Sequence, residues 1–267
     1  MTWPLLSNPQ RVEVQSARLQ QGCTTIETGI QDETAVCPAN QSPLFSRPPL
    51  QAQLLIDGVE FTIYVNHFKS KRGGDVETAS RRLAQARHIA DLVDAQLAGD
   101  AQARLIVLGD FNDYAESPPL KLLAENGRLH NTLLQIPEAE RYSYNFSGAS
   151  QLIDGVFITP ALVNEVAAVT ILHVNADFPD SLSLDTSPAG LPYKATDHDL
   201  PLLILNPPPP AATAQPTASL VLTPSATPAT SEADAPRSAS PWAVLALLVG
   251  ATAVITGLAV AYSRRSE

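Results

Sequence analysis

The fold of this chain is best read from one stretch of sequence, Leu105-Ile106-Val107-Leu108-Gly109-Asp110-Phe111-Asn112. The four apolar residues at its start are typical of a buried strand, and the glycine ends the run. Such a strand delivers a carboxylate, Asp110, and an amide, Asn112, to one rim of a sheet. Taken alone, the two polar residues could equally form an Asx-type turn. The stretch predicts a buried strand with a candidate polar site at its end.

Three other short stretches carry polar side chains that suit the same kind of site. They are Asn66-His67-Phe68-Lys69-Ser70-Lys71, Leu152-Ile153-Asp154 and Thr196-Asp197-His198-Asp199-Leu200-Pro201. Each has an ordinary structural alternative, as a strand-end histidine, a strand start or a polar loop. Together and in this order they are hard to obtain by chance, and they predict a site that cleaves a phosphate ester. The remaining histidines are interpreted as structural or exposed: His88, His130 and His173.

Patterning on either side of these motifs predicts an α+β, or layered α/β, fold. Asp57-Gly58 lies between apolar-rich runs over 51–56 and 59–66, which predicts a hairpin with a type I′ turn. Apolar residues recur at helical spacing over 77–98, with Gly99 as the stop, and Ser117-Pro118 opens a second helix through Glu125. Further strands are predicted over 104–108, 156–159, 167–174 and 202–205. These elements predict a sheet covered by helices on one face and by a second sheet on the other.

The overall charge argues against strong non-specific attraction to polyphosphates. The 267-residue chain carries a formal net charge of -10 and has a sequence pI near 4.9, whereas such attraction normally depends on a basic surface. One local stretch is basic, and it could contact a nucleic acid or simply be a solvated loop and helix face. Its cations are Lys69, Lys71, Arg72, Arg81, Arg82 and Arg87.

Composition divides the chain into five segments. Residues 207–241 are rich in Pro, Ala, Ser and Thr and predict a disordered stalk. Residues 242–262 carry no charge and predict one transmembrane helix. The other predicted segments are a partial N-terminal segment with a cysteine-bounded loop over 1–45, a main domain over 46–206 and a cytoplasmic tail over 263–267.

The topology of the chain is predicted from its terminal arginines and its cysteines. Arg264 and Arg265 place the C-terminus in the cytoplasm by the positive-inside rule, so the main domain is expected outside the cell, anchored to the membrane. Cys23 and Cys37 suit a disulfide in an exported protein, although free thiols remain an alternative. Residues 1–30 contain no export signal. We therefore expect an N-terminally truncated chain or a start codon assigned too late.

The polar motifs have the chemistry of a hard-metal site. Cleaving a phosphodiester requires a divalent cation, a group that orients or deprotonates water, and donors for the developing negative charge. Asp110, Asn112 and Asp197 offer the oxygen ligands that Mg²⁺ or Mn²⁺ prefers. His198 can face the phosphate, and Asp154 is the natural partner for its other ring nitrogen.

These motifs resemble those of the endonuclease/exonuclease/phosphatase superfamily, and the pattern is most similar to its secreted bacterial nucleases. The residues that carry the resemblance are Ser46-Arg47-Pro48-Pro49-Leu50, Asn66 to Lys71, Gly109 to Tyr114, and Ser143-Tyr144 ahead of Leu152-Ile153-Asp154. The resemblance implies a four-layer α/β/β/α sandwich with the site at one rim of the paired sheets. It covers about residues 46 to 205.

The resemblance also implies a role for each polar residue. Asp110 orients or deprotonates water, Asn112 binds the scissile phosphate, and Asp197 belongs to the metal site. His198, supported by Asp154, contacts the phosphate and transfers a proton. The second histidine, His67, donates to a phosphate oxygen or to the leaving group. The remaining predicted substrate contacts are Asn66, Lys69, Lys71 and Arg82.

Two departures from the family pattern are visible. The early Asn and the Glu that is the family's principal metal ligand have no match, and Glu27 and Glu33 are rejected because they lie in the cysteine-bounded loop. Gly155 stands where related nucleases often have His. Half of the sandwich is therefore expected to be missing, and this chain is predicted to be inactive or weakly active on its own.

Three functions are compatible with the sequence. The leading prediction is a metal-dependent phosphodiesterase, a nuclease displayed outside the cell. One alternative is a phosphatase or a phospholipase or sphingomyelinase-type member of the same superfamily. The other is a noncatalytic surface module, which the missing metal ligand favours and the retained polar residues oppose.

Overall fold

The computed structural model describes residues 6–185, 187, 189, 193–206, 242–251 and 254–263. The predicted stalk over 207–241 and the last four residues of the predicted tail lie outside this part of the chain. The strands are β1 Val12–Leu19, β2 Cys23–Thr24, β3 Ser42–Pro43, β4 Leu50–Ile56, β5 Val59–His67, β6 Leu105–Asp110, β7 His130–Asn131, β8 Tyr144–Phe146, β9 Ala149–Gln151, β10 Asp154–Ile158, β11 Val166–Leu172, β12 Leu200–Leu205, β13 Trp242–Ala251 and β14 Val254–Ser263. The α-helices are α1 Asp75–Gly99 and α2 Pro118–Ala124, with 3-10 helices at Glu125–Gly127, Thr132–Gln135, Glu138–Glu140, Pro160–Glu165 and Asp180–Leu184.

A six-stranded mixed sheet, in the order β1-β4-β5-β6-β10-β7, forms the centre of the domain. The predicted hairpin is confirmed, because β4 and β5 pair with Ile56 opposite Val59. Asp57 and Gly58 both have positive φ, as a type I′ turn requires. Strand β6 then pairs parallel to β5, and the long helix α1 makes the crossover between them.

Alternate residues of β6 enter two separate cores. Ile106 and Leu108 pack in a cluster that includes Ile171 and Leu203 of the second sheet. Leu105 and Val107 pack on the opposite face with Ile89 of α1 and with α2. Because both faces are covered, the strand is apolar at four successive positions, Leu105 to Leu108, rather than at alternate ones. The described residues thus form helix, sheet and sheet layers, three of the four layers implied by the family resemblance.

The second sheet has the order β11-β12-β14-β13, and it corrects the predicted transmembrane helix. Where a helix over 242–262 was predicted, the chain forms the antiparallel pair β13 and β14, and β14 runs parallel to β12. An apolar run specifies burial but not backbone conformation, and here the strands satisfy the backbone through each other and the edge of β12. Among the described residues, no helix combines the length and apolar character needed to span a bilayer.

The N-terminal segment joins the central sheet. Strand β1 pairs antiparallel with β4 from Val12 to Leu19, so the sheet begins ahead of residue 46. Beyond it, Cys23 and Cys37 form the predicted disulfide. Free thiols, the alternative left open by the sequence, are thereby excluded.

Candidate functional site

Three neighbouring strands bring the polar motifs to one rim of the central sheet. His67 is the last residue of β5 and lies opposite Asp110, the last residue of β6. Asp110 in turn lies opposite Asp154, the first residue of β10. Residues paired across strands are close enough for their side chains to interact. The sheet register thus unites three of the predicted site residues.

Gly109 allows β6 to reach this rim beside β5. Its φ of 129° lies where L side chains are strained, and a Cβ would stand 2.1 Å from the Asn66 carbonyl oxygen. Asn66 itself is 1% exposed, and its side-chain amide donates to the Tyr64 and Leu108 carbonyls. It therefore ties β5 to β6, which differs from its predicted contact with substrate.

Asp154 and His198 form a buried pair. His198 Nδ1 lies 2.7 Å from Asp154 Oδ2, and the Ser143 hydroxyl donates to the same oxygen at 2.6 Å. Burial alone would lower the pKa of His198, but the Asp154 carboxylate, with Asp110 and Asp197, outweighs burial and raises it to about 10. The imidazole is therefore protonated at neutral pH, with Nε2 left for other contacts.

Asp110 is held by the loop that follows it. The Asn112 backbone N–H donates to Oδ1 and its side-chain amide donates to Oδ2, both at 2.8 Å. The same amide also donates to the Phe68 carbonyl at 3.2 Å, and Asn112 has a left-handed φ of 51°. Burial and the neighbouring Asp154 raise the pKa of Asp110 to about 7, against the opposing effect of His198. This carboxyl can exchange a proton near neutral pH.

His67 is neutral and lies against the guanidinium of Arg47. Arg47 Nη1 lies 2.8 Å from Nδ1 and 3.3 Å from Nε2, and since a guanidinium can only donate, the imidazole accepts from it, with Nδ1 as the closer acceptor. Nε2 lies 3.7 Å from Asp110 Oδ2. Burial, with the charges of Arg47 and His198, lowers the pKa of His67 to about 3. His67 can therefore donate a hydrogen bond but carries no positive charge.

The same rim contains a group of side chains that could hold a metal ion. One ligand atom from each of Asp110, Asp154 and His198 lies within 4.8 Å of the others. Asp154 Oδ1 is buried without a hydrogen-bond partner, as expected of an oxygen that binds a cation. Asp197, predicted as a metal ligand, is half-buried beside the group, and its charge raises the pKa of Asp110 and His198. Since the protonated His198 has no free lone pair for a metal, the available donors are carboxylate oxygens, which fits a hard cation.

The predicted cationic contacts lie in a separate network. Arg82 is 1% exposed and pairs with Asp113 at 2.7 Å and with Asp75. Lys71 pairs with the same two carboxylates at 3.2 and 3.3 Å. Lys69 Nζ folds back and donates to the Ser70 and Arg72 carbonyls at 2.9 Å. All three cations are bound within the protein.

Three contacts were missed from the sequence. Ser143 supports Asp154, Tyr144 packs its ring 4.8 Å from the ring of His198, and Arg47 fixes His67. Each lies in a motif that carried the family resemblance, but spacing along the chain does not show which side chain it reaches. His173, interpreted as structural or exposed, pairs with the buried Asp199 at 2.7 Å, which agrees with a structural role.

Comparisons with solved proteins give distant similarities. The human Nocturnin catalytic domain with bound sulfate anion is 16% identical, with a TM-score of 0.40 over 61% of this chain and 52% of that chain. A truncated Caenorhabditis elegans TDP2 is 15% identical, with a TM-score of 0.46 over 71% and 64%. A functionally unknown conserved protein from Enterococcus faecalis V583 is 17% identical, with a TM-score of 0.43 over 73% and 66%. This chain thus spans about half to two thirds of the length of these proteins.

The family comparison is more direct. No curated protein matches the chain. The family model described as Endonuclease/Exonuclease/phosphatase family matches residues 15–181, which is more than half of the chain. This span contains His67, Asp110 and Asp154 and ends before His198. The chain belongs to the endonuclease/exonuclease/phosphatase family.

Proposed function

We propose that this domain is a metal-dependent phosphodiester hydrolase, and specifically a nuclease. The observation that carries the proposal is the meeting of Asp110, Asp154 and His198 at one rim, with their ligand atoms within 4.8 Å of one another. An acid with a pKa near 7 beside an imidazolium is suited to move a proton to or from a reacting phosphate ester. Family membership supports the same class of reaction.

Mg²⁺ or Mn²⁺ fits the donor set of the site. Asp110, Asp154 and Asp197 are the carboxylates that would hold it, with Asn112 Oδ1 as a further oxygen, since the amide nitrogen is already bound to Asp110 and Phe68. When bound, the cation neutralises charge on the phosphoryl oxygens. The family's glutamate ligand is not in the cluster of the described residues, which supports weak activity of this chain.

Asp110, His198 and His67 have different roles in proton transfer and hydrogen bonding to the substrate. Asp110 orients a water molecule through its carboxylate and takes its proton. His198 presents Nε2–H to a phosphoryl oxygen or to the leaving oxygen, while Asp154 holds Nδ1 and keeps the ring charged. With Nδ1 accepting from Arg47, its closer contact, His67 donates Nε2–H as a neutral hydrogen-bond donor.

An extracellular location remains a prediction from the sequence. The Cys23–Cys37 disulfide supports it, because such bonds persist in oxidising compartments and are rare in the cytoplasm.

The test combines catalysis with metal binding in the full 267-residue chain. We expect cleavage of bis(p-nitrophenyl) phosphate and of DNA that requires Mg²⁺ or Mn²⁺ and is lost in Asp110→Asn. Mn²⁺ titration by calorimetry should show millimolar or tighter binding that Asp154→Asn weakens. Faster turnover of phosphomonoesters or sphingomyelin would favour the phosphatase or phospholipase alternative. Absence of both metal binding and turnover would contradict the proposal and favour a noncatalytic module.

A further inference from the structure

A short hairpin beside the candidate site carries two aromatic rings in line with His198. The hairpin consists of β8 and β9, with Tyr144 opposite Gln151 and Phe146 opposite Ala149. Tyr144 and Phe146 are two residues apart on one strand and therefore share a face. The ring of Tyr144 lies 4.8 Å from that of His198, and the ring of Phe146 lies 6.3 Å from Tyr144 at an interplanar angle of 14°. We call Tyr144 and Phe146 the aromatic step.

The aromatic step runs from the buried site to solvent. His198 is 3% exposed, Tyr144 is half-buried and Phe146 is 59% exposed. Tyr144 also pairs with His198 in an isolated antiparallel bridge, which places its ring at the edge of the candidate site. A ligand whose phosphate reaches His198 would therefore have these rings beside its neighbouring group.

The hairpin holds the rings in a fixed arrangement. Ser147 and Gly148 both have positive φ and make a two-residue turn between Phe146 and Ala149. Asn145, on the other face of β8, donates to the Ala176 carbonyl and to Asp177. The small side chain of Ala149, opposite Phe146, leaves room beside the ring. An exposed ring on a hairpin anchored in this way is suited to stack on a planar group.

The charge distribution of the protein indicates that affinity for a substrate comes from base stacking rather than from contacts of basic residues with successive phosphates. Lys69, Lys71 and Arg82 are bound to carbonyls or carboxylates of the protein. The chain carries a net charge of -10, so counterion release from a long polyphosphate is a weak source of binding energy. Base stacking on aromatic side chains does not need a basic surface and contributes about 1–3 kcal/mol per base.

The residues around Phe146 favour an unpaired base as the ligand over a lipid surface or a duplex. Around Phe146 the exposed residues are small or polar: Ser147, Gly148, Ala149 and Ser150. A segment that enters a lipid surface needs a broader apolar face and cationic flanks. A duplex offers no free base face to a ring beside its backbone, whereas an unpaired nucleotide does.

We propose that the aromatic step stacks on an unpaired base next to the scissile phosphate, so that the substrate is a single strand or a frayed nucleic-acid end. This inference rests on the proposed phosphodiesterase function and adds the substrate class. Its ligand is recognised by the planar face of the base, with little dependence on sequence.

The test measures binding by fluorescence anisotropy in the full chain carrying Asp110→Asn, in MgCl₂, so that cleavage does not consume the ligand. The probes are a fluorescein-labelled oligothymidylate, the same-length oligomer of abasic sugar phosphates, and a blunt duplex. We expect the oligothymidylate to bind about 5- to 150-fold more tightly than the abasic oligomer, the range of one stacked base. Phe146→Ala should remove most of this difference, whereas Phe146→Trp should retain it.

Matched controls separate this inference from the proposed function. Val36→Ala changes another apolar side chain, 97% exposed in the cysteine-bounded loop, and should not alter the preference. Equal affinity for oligothymidylate and abasic oligomer, or a preference that survives Phe146→Ala, would overturn the inference even if the wild-type chain cleaves bis(p-nitrophenyl) phosphate. Tighter binding to duplex, or Phe146-dependent binding to phosphatidylcholine vesicles, would also overturn it. If the wild-type chain does not cleave bis(p-nitrophenyl) phosphate but the preference for oligothymidylate over the abasic oligomer is present, only the proposed function is contradicted.

Discussion

At the level of single residues, Asp154 controls the charge of His198. Asp154→Asn removes the largest favourable charge on the imidazole, and burial then lowers the pKa from about 10 to below its ordinary value near 6.5. NMR titration of the His198 ring in EDTA measures the change. Ser143→Ala removes one hydrogen bond from Asp154 Oδ2 but keeps the charge, so the His198 pKa should change much less.

The same pair makes stability depend on pH. The His198 pKa is raised in the folded protein, so its contribution to the free energy of unfolding is complete below about pH 6.5 and is lost as the pH rises toward 10. Urea unfolding of wild type and Asp154→Asn across this range should show their difference shrinking with rising pH. A constant or growing difference would contradict the assigned charge.

Asp110 should be more important for activity than for stability. We expect Asp110→Asn to lower kcat/KM by about 10²- to 10⁴-fold, the usual contribution of a general base. Asparagine can still accept from the Asn112 backbone N–H. Since the pKa of Asp110 is raised from 3.8 to about 7 in the folded protein, its ionisation lowers the stability of the wild type between these pH values, and the penalty is complete above about pH 7. The variant should therefore be equally or more stable at pH 8. A large loss of stability in thermal melts would assign Asp110 a structural role.

The sequence predicted which polar residues meet, but not how each of them is used. A carboxylate at a strand end and a histidine far along the chain can be matched to a phosphate-cleaving pattern. Their protonation depends on neighbours such as Arg47 and Ser143, whose contacts arise only when strands and loops are packed. The neutral tautomer of His67 is therefore a result of the tertiary structure.

At the level of elements, the close approach of β5 and β6 depends on Gly109. Gly109→Ala adds a Cβ 2.1 Å from the Asn66 carbonyl at a φ of 129°, and should destabilise the fold by about 3 kcal/mol or more. Gly148→Ala is the matched control, because its φ is also positive, at 80°, and nothing lies within 4 Å. That change should cost about 1–2 kcal/mol. Equal losses in denaturant unfolding would show that the contact with Asn66 is unimportant.

Arg82 on α1 should act through the fold rather than through substrate. Arg82→Ala removes the buried cation that pairs with Asp113, a side chain only 5% exposed. The free energy of unfolding should fall by about 3 kcal/mol, and the loss is limited because Lys71 still pairs with Asp113. Arg87→Ala, exposed on the same helix, should change stability by less than about 0.5 kcal/mol. Unchanged melting with a raised KM in Arg82→Ala would instead support the predicted substrate contact.

Elements were predictable where local chemistry specifies both conformation and burial. The turn at Asp57 and Gly58 needs two positive φ values, and the helical stripe of α1 is long, so both were found from sequence. The apolar run from Trp242 predicted a helix where the chain forms strands. Strands β13 and β14 depend on hydrogen bonds to each other and to β12, a partner distant in sequence that hydropathy does not reveal.

At the level of the whole molecule, the Cys23–Cys37 disulfide constrains the segment that joins β1, at the edge of the central sheet, to its neighbour β4. The bond closes a loop with a sequence separation of 14, for which chain entropy predicts about 3 kcal/mol of stabilisation. The double variant Cys23→Ser/Cys37→Ser should lose about this much in urea unfolding. Reduction of the wild type should give the same loss.

The loop has contacts of its own that separate this effect from general damage. Thr28 donates to the Pro43 carbonyl at 2.8 Å, and Gln21 donates to Asp32 at 2.9 Å, so the loop should stay docked when the bond is absent. The candidate site is formed by other strands, and the reduced protein should keep the His198 titration of the oxidised form. A reduced protein that unfolds no earlier would show that the bond does not stabilise the domain. An altered His198 pKa would show that the N-terminal loop and the candidate site are energetically coupled.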